Sequence, residues 1–115
     1  MADQYTDLGY LERFCKGDRS RMEKYIHMYL QGAPAMFTKL GTLAGSNDGE
    51  ALAVAAHSLR PQVNYMGAQR LFDLLTSIEQ LARTEGASAC TAQVSEAMAL
   101  NEKVMAELRA QLGQP

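Results

Sequence analysis

The sequence has little of what a metal centre needs. It contains two cysteines, Cys15 and Cys90, and two histidines, His27 and His57. The cysteines lack the paired spacing of metal ligands, so we interpret them as small core residues. A metal site in a helical bundle needs clustered ligands such as Glu-x-x-His pairs, which two histidines on separate segments do not supply. We therefore expect no bound metal.

The sequence also lacks a charge excess and a long apolar run. The formal net charge is −2 and the pI is about 5.6, without the basic footprint of a nucleic-acid-binding protein. No segment approaches the roughly 18 apolar residues of a membrane span, and the N-terminal MADQYTDLGY lacks the charged start and apolar stretch of a signal peptide. We expect a cytoplasmic monomer without nucleic-acid or membrane partners.

Proline occurs at only three positions and β-branched residues are few. The sequence is instead rich in Ala, Leu, Met, Glu, Gln and Arg, which are good helix formers. Clusters of glycine and small polar residues, such as QGAP and GSNDGE, provide short connections, which favour antiparallel neighbours. The sequence predicts an all-α fold: an antiparallel up-and-down four-helix bundle with an additional short N-terminal helix. Residues 1–115 are long enough to form a single domain with one core.

Apolar periodicity divides the chain into six helical segments. The first is short, and the second begins after Asp18, which we predict to be its N-cap. Pro34 is predicted to start the third segment, and Asn47 the fourth. The fifth extends from about Ala68 to Glu85, and the sixth follows from about Ser88.

His57 lies on the wrong side of its predicted helix for a core residue. At about 100° per residue, the apolar residues of this segment share one direction, and His57 lies about 140° away from it. His27 lies about 140° from the apolar axis of its own helix as well. Exposure alone therefore does not distinguish a functional histidine from an ordinary surface one.

The neighbours of the two histidines differ. Residues three and four positions away share a helix face, and around His27 they form a crowded surface that includes Glu23. Around His57 they are Ala53, Arg60 and Pro61, which leave the imidazole open beside one cation. A neutral imidazole nitrogen is a competent nucleophile near pH 7, and a guanidinium stabilises a bound phosphoryl group through charge-assisted hydrogen bonds.

These residues resemble the histidine-containing phosphotransfer (HPt) domains of two-component phosphorelays. The family signature is a histidine, an apolar residue two positions later, then Lys or Arg, and further on an apolar residue followed by glycine. The matching positions here are His57, Leu59, Arg60, Met66 and Gly67. The resemblance extends from about Tyr5 to about Leu112 and includes the Gly-Asp helix start, the Ala-Pro break and the Asp-rich turn.

The resemblance implies a role for three side chains. His57 would carry the phosphoryl group, Arg60 would support the phosphate, and Glu79 on the next helix would orient the imidazole by hydrogen bonding. The partners would be receiver domains of response regulators and a hybrid sensor histidine kinase. The protein would need no cofactor, because Mg²⁺ would belong to the receiver. The chain has no GxxxxGK[ST] loop and no kinase ATP-binding segment, so we expect a carrier and not an enzyme that uses ATP.

Pro61 departs from the family pattern, which usually has glycine there. Inside a helix, proline removes the amide that would bond to the carbonyl of His57. We expect a kinked but continuous helix; the alternative is a break, with Pro61 starting a new helix and Arg60 losing its place beside His57.

The surface around His57 is the expected docking site for a receiver. We assign to it Ala53, Pro61 and Asn64, together with Leu11 and Phe14 of the first helix. The alternative function is a helical docking or adaptor module that keeps the fold without phosphotransfer.

Overall fold

A computed structural model describes residues 4–113 of the chain. Within this range the protein is helical and has no strand. A 3₁₀ turn, Ala87–Cys90, precedes the last of five α-helices, which are α1 (Gly9–Phe14), α2 (Arg19–Ala44), α3 (Gly49–Tyr65), α4 (Gln69–Glu85) and α5 (Thr91–Gln111). Four long helices and a short N-terminal one confirm the predicted all-α bundle.

The four long helices pack in a ring. Helix α2 contacts α3 and α5, and α4 contacts the same two helices on the opposite side, while α1 packs against α2. Every apolar stripe therefore faces a common core. The two cysteines, Cys15 and Cys90, are buried in it as predicted.

The prediction that Pro34 starts a separate helix is wrong, because α2 continues through it. Pro34 is exposed, so the carbonyl of Leu30 that it leaves unpaired lies on the solvent side of the helix. Ala33 and Phe37, on either side of the proline, are both buried on the core face. Burial of one uninterrupted stripe stabilises the long helix more than the missing hydrogen bond destabilises it.

The helix boundaries follow local capping chemistry. The side chain of Asp18 accepts a 3.2 Å hydrogen bond from the amide of Arg21, as its prediction as N-cap requires. The N-cap of α3 is Asp48 and not Asn47, since the Asp48 side chain accepts a 2.9 Å bond from the amide of Ala51.

The turn between α3 and α4 holds the segment that precedes α1. Gly67 has a φ of +65°, and a Cβ atom placed there would lie 1.8 Å from the carbonyl oxygen of Asp7. The backbone of Asp7 also donates a 3.3 Å hydrogen bond to the carbonyl of Met66. Glu107 on α5 accepts hydrogen bonds from the amides of the two residues before Asp7. The glycine of the sequence signature is therefore required by this close backbone packing.

Residues 4–113 contain neither a helix able to span a membrane nor a cluster of potential metal ligands. No helix there combines the length and the apolar character that crossing a membrane requires. Nor do three or more His, Cys, Asp or Glu side chains in residues 4–113 come together as a cation would need.

Candidate functional site

Helix α3 presents His57 to solvent from its middle. The helix is continuous across Pro61, so the alternative of a break is wrong and Arg60 keeps its place one turn after the histidine. Pro61 is exposed. Because proline has no amide hydrogen, the carbonyl of His57 has no hydrogen-bond donor within α3. The imidazole side chain is 64% exposed, which agrees with the outward direction predicted from helical spacing.

Glu79 on α4 lies beneath the imidazole. Its side chain is only 10% exposed, and both of its carboxylate oxygens lie 3.2 Å from Nδ1 of His57. An ionised carboxylate can only accept hydrogen bonds, so it favours the tautomer in which Nδ1 carries the proton. In that tautomer Nε2 keeps its lone pair and is the nucleophilic nitrogen of the ring.

Arg60 contacts Glu79 in this structure. Its Nη1 donates a 2.9 Å hydrogen bond to Oε1 of Glu79, and its guanidinium carbon lies 5.0 Å from the centre of the Phe72 ring. The Arg60 side chain is 28% exposed. From the sequence we expected Arg60 beside the imidazole, where it would bind an incoming anion. In the structure Arg60 instead binds the carboxylate of Glu79, which contacts the imidazole.

The site contains a second arginine that the sequence reasoning missed. Arg83 Nη1 donates a 2.5 Å hydrogen bond to Oε2 of Glu79, and Arg83 Nε lies 3.5 Å from a carboxylate oxygen of Glu50 at the start of α3. Arg83 follows Glu79 by four positions on one helix, a spacing that brings side chains together. That spacing was the available signal, once Glu79 had been singled out.

The carboxylate of Glu79 is thus shared by three donors. Burial alone would raise its pKa, but the hydrogen bonds from the two guanidiniums and the imidazole outweigh burial and hold the pKa below its ordinary value. The hydrogen bond between Arg83 and Glu79 also raises the pKa of the Arg83 guanidinium. Glu79 is therefore ionised near neutral pH, as the tautomer described above requires.

Three of the five predicted docking residues lie on the surface, and two do not. Pro61, Asn64 and Phe14 are exposed. Ala53 is fully buried, because it lies on the side of α3 that packs against the bundle, and Leu11 is fully buried because it anchors α1 to the core. The assignment of Ala53 and Leu11 to an accessible surface was wrong.

An aromatic cluster lies beside these exposed residues, where α1 meets α2 and α3. The Phe14 ring lies 5.3 Å from Tyr65 and 5.7 Å from Tyr25, measured between ring centres. Tyr10 stacks on Tyr65 at 5.5 Å. Phe14 and Tyr10 are the exposed members, so this cluster offers an apolar surface at the end of the helix that carries His57.

His27 provides an internal comparison. It is also exposed, on α2, but among residues 4–113 it forms no ion pair with a carboxylate. Only His57 combines an exposed ring with a buried carboxylate at Nδ1 in the part of the chain that the structure describes.

Comparison with known proteins identifies one family. The model of the Hpt domain family matches residues 24–114, which include most of α2 and all of the following helices. Searches of curated proteins and of solved structures gave no match.

Proposed function

Since the chain belongs to the Hpt domain family, whose role is tied to phosphotransfer in phosphorelays, we propose that His57 relays a phosphoryl group between receiver-domain aspartates. In this role the protein is a phosphoryl carrier and not a kinase. Its partners are response-regulator receiver domains and, upstream, a hybrid sensor kinase. The exposed imidazole of His57 above the buried Glu79 is the observation that carries the proposal.

The proposed step is an in-line displacement. The lone pair of Nε2 of His57 attacks the phosphorus of the receiver's aspartyl phosphate, and an N–P bond forms as the P–O bond to the aspartate breaks. The aspartate leaves as a carboxylate, and the proton on Nδ1 stays in place. The ring thereby gains positive charge, which the carboxylate of Glu79 at 3.2 Å stabilises. The reverse sequence of events delivers the group to the next receiver.

Arg60 is the proposed phosphate-supporting residue. It follows His57 by three positions on α3, so a rotamer change can move its guanidinium from Glu79 toward a phosphoryl group on Nε2. A phosphoryl group carries more negative charge than a carboxylate and presents three acceptor oxygens, which favours this exchange of partners. Mg²⁺ and the other groups that stabilise the transferred phosphoryl belong to the receiver.

The proposed docking surface surrounds His57 and extends along α3. Pro61 and Asn64 follow the histidine on its exposed side, and Phe14 and Tyr10 provide apolar area beyond them. The compact ring of Pro61 has no flexible polar arm that would block the approach of a receiver to the imidazole. Transient signalling contacts are small, so we expect modest affinity.

The test is to incubate the protein with a receiver domain phosphorylated with radioactive phosphate. We expect an acid-labile, alkali-stable adduct on the wild-type protein, as phosphohistidine gives. His57→Gln should abolish the adduct. His27→Gln is the matched control, since it removes an exposed histidine from another helix, and it should leave the adduct unchanged.

The alternative function, a docking module without transfer, gives a different result in the same experiment. Such a protein would bind the receiver but acquire no label, whether wild-type or mutant. Label that persists in His57→Gln would instead place the phosphoryl group on another residue and refute the assignment of His57.

A further inference from the structure

We propose that Arg83 is a positioning residue for the transfer: it stays bound to Glu79 while Arg60 moves to the phosphoryl group. This inference depends on the proposed function of His57. Arg83 touches neither the reacting nitrogen nor the phosphoryl group in this scheme, and it acts through the carboxylate of Glu79.

The tautomer of His57 depends on the protonation state of Glu79. Nε2 is nucleophilic only when Nδ1 carries the ring proton, and an ionised Glu79 favours that arrangement because it can only accept. A protonated Glu79 could donate to Nδ1 and favour the opposite tautomer. The Glu79 side chain is only 10% exposed, and because burial raises the pKa of a carboxyl, the hydrogen bonds from neighbouring cations favour its ionised form.

The two arginines reach Glu79 from different helices. Arg60 and Arg83 bind different oxygens of the Glu79 carboxylate, Oε1 and Oε2. Arg60 belongs to α3, the helix of His57, whereas Arg83 belongs to α4, the helix of Glu79 itself. Arg83 is also held by Glu50, 3.5 Å away. When Arg60 departs, the bond between Arg83 and Oε2 therefore remains.

The charges around Glu79 change during the proposed reaction. As Nε2 attacks, the ring becomes cationic and the phosphoryl group needs a cation of its own. Transfer of Arg60 from Glu79 to the phosphoryl group provides that cation and leaves Glu79 with one positive neighbour in place of two. The electrostatic potential at Nδ1 therefore becomes more negative at the stage when the ring becomes positive, and this stabilises the ring. Without Arg83, the same departure would leave the Glu79 carboxylate with no guanidinium to hold it, and its alignment with Nδ1 would be lost.

The charged groups around Glu79 come from two helices. Arg83 lies on its own helix, and His57, Arg60 and, through Arg83, Glu50 lie on α3. Helix α5 and the 3₁₀ turn, which also pack on α4, contribute no ionisable group to these contacts within residues 4–113. A change in the titration of Glu79 can therefore be assigned to this set.

The first experiment measures the tautomer in the unphosphorylated protein. ¹⁵N NMR shifts of the His57 ring would be recorded near pH 8, where an imidazole of ordinary pKa is neutral, for Arg60→Gln, which imitates the departure of Arg60, and for Arg60→Gln combined with Arg83→Gln or Arg83→Lys. We expect a smaller fraction of Nδ1–H tautomer when Arg83→Gln is added to Arg60→Gln, and partial recovery when Arg83→Lys is added instead. The control is Arg19→Gln, which removes another i,i+4 arginine–glutamate pair, with Glu23, on an exposed helix surface.

The second experiment measures the rate of His57 phosphorylation by potassium phosphoramidate, followed by ³¹P NMR. This small donor makes the result independent of receiver docking. We expect Arg83→Gln to slow the reaction by up to about tenfold near pH 8, where an imidazole of ordinary pKa is neutral and nucleophilic. The effect is limited because the Arg83 side chain is 43% exposed and solvent weakens its ion pair.

The outcomes separate this proposal from the proposed function. If adding Arg83→Gln to Arg60→Gln leaves the ring shifts unchanged, and Arg83→Gln alone leaves the rate unchanged, while Glu79→Leu alters both, Arg83 has no positioning role, although His57 still carries phosphate. A wild-type protein that takes up no phosphoryl group from any donor contradicts the proposed function. The ring shifts still decide the role of Arg83 in that case, because they do not require transfer.

Discussion

The Nδ1 atom of His57 lies 3.2 Å from both carboxylate oxygens of Glu79, although 22 positions separate the two residues in the sequence. The contact joins α3 to α4, and the most extensive helix–helix packing in the bundle is between these two helices. Glu79 therefore belongs to the structural interface as well as to the site. Its substitution should affect stability and chemistry together.

Acidification should show how much the ionised carboxylate of Glu79 contributes to the stability of the fold. The pKa of Glu79 is lowered in the folded protein, so between the folded value and the ordinary value of 4.5 the unfolded chain binds more protons. Stability from this group is present above about pH 4.5 and is lost as the pH falls through the folded pKa. We expect the free energy of unfolding, measured with urea, to decrease less on acidification in Glu79→Gln than in the wild type.

Glu102→Gln is the control for the acid experiment, because Glu102 is an exposed glutamate on α5. It should reproduce the wild-type dependence on pH. Equal slopes for the wild type and Glu79→Gln would show that the ionised carboxylate contributes nothing to folding.

Pro61 should reduce stability without being needed for transfer. Pro61→Ala restores the amide that can bond to the His57 carbonyl, and we expect a gain of roughly 1–2 kcal/mol in the free energy of unfolding. Phosphorylation of His57 should be retained. Pro34→Ala is the matched control. Pro34 is the other exposed proline inside a long helix, and it lies on α2, not on the helix that carries His57. A loss of transfer in Pro61→Ala alone would assign the proline a direct role.

Gly67 should tolerate no side chain. Gly67→Ala combines a strained positive φ with a clash against the backbone of Asp7, and we expect a loss of more than about 2 kcal/mol. Gly17 also has a positive φ, +75°, but a Cβ atom there would meet nothing within 4 Å. Gly17→Ala should therefore cost only the backbone strain, about 1 kcal/mol. Similar losses measured by urea denaturation for both variants would contradict the proposed clash.

Phe14 should contribute to receiver binding. Phe14→Ala removes an exposed apolar ring from the aromatic cluster, and we expect the Kd for a receiver domain to rise about tenfold. Isothermal titration calorimetry with an unphosphorylated receiver measures this change. Met98→Ala removes a comparably exposed apolar side chain from α5 and should leave the Kd unchanged. If the Met98 variant loses as much affinity as the Phe14 variant, the docking surface lies elsewhere.

The hydroxyl of Tyr29 should stabilise the core. It donates a 2.6 Å hydrogen bond to the buried Asn101 on α5, and burial raises the pKa of the phenol. Tyr29→Phe leaves a buried acceptor without its partner, so we expect a loss of about 1–3 kcal/mol. Tyr10→Phe removes an exposed hydroxyl and should change stability by less than about 0.5 kcal/mol. Thermal and urea unfolding of both variants provide the comparison.

The features that the sequence predicted correctly depend on interactions between residues close together in the chain. The spacing of apolar residues predicted the bundle and the outward direction of His57, since both depend on a fixed angle per residue. The N-cap Asp18 and the end of α4 at Glu85 could be predicted because helix ends depend on neighbours in the chain. The predicted break at Pro34 was wrong because a local penalty was weighed without the burial that opposes it.

The sequence by itself determined the all-α class, the outward direction of His57 and, by resemblance, the family. Tertiary structure alone decided that Arg60 and Arg83 share the carboxylate of Glu79, that Ala53 and Leu11 are buried, and that Phe14 belongs to an aromatic cluster. The physical reason is that a helical period fixes the direction of a side chain from its own axis. Which residues it meets there depends on how the neighbouring helices are placed, and that placement results from the packing of the whole core.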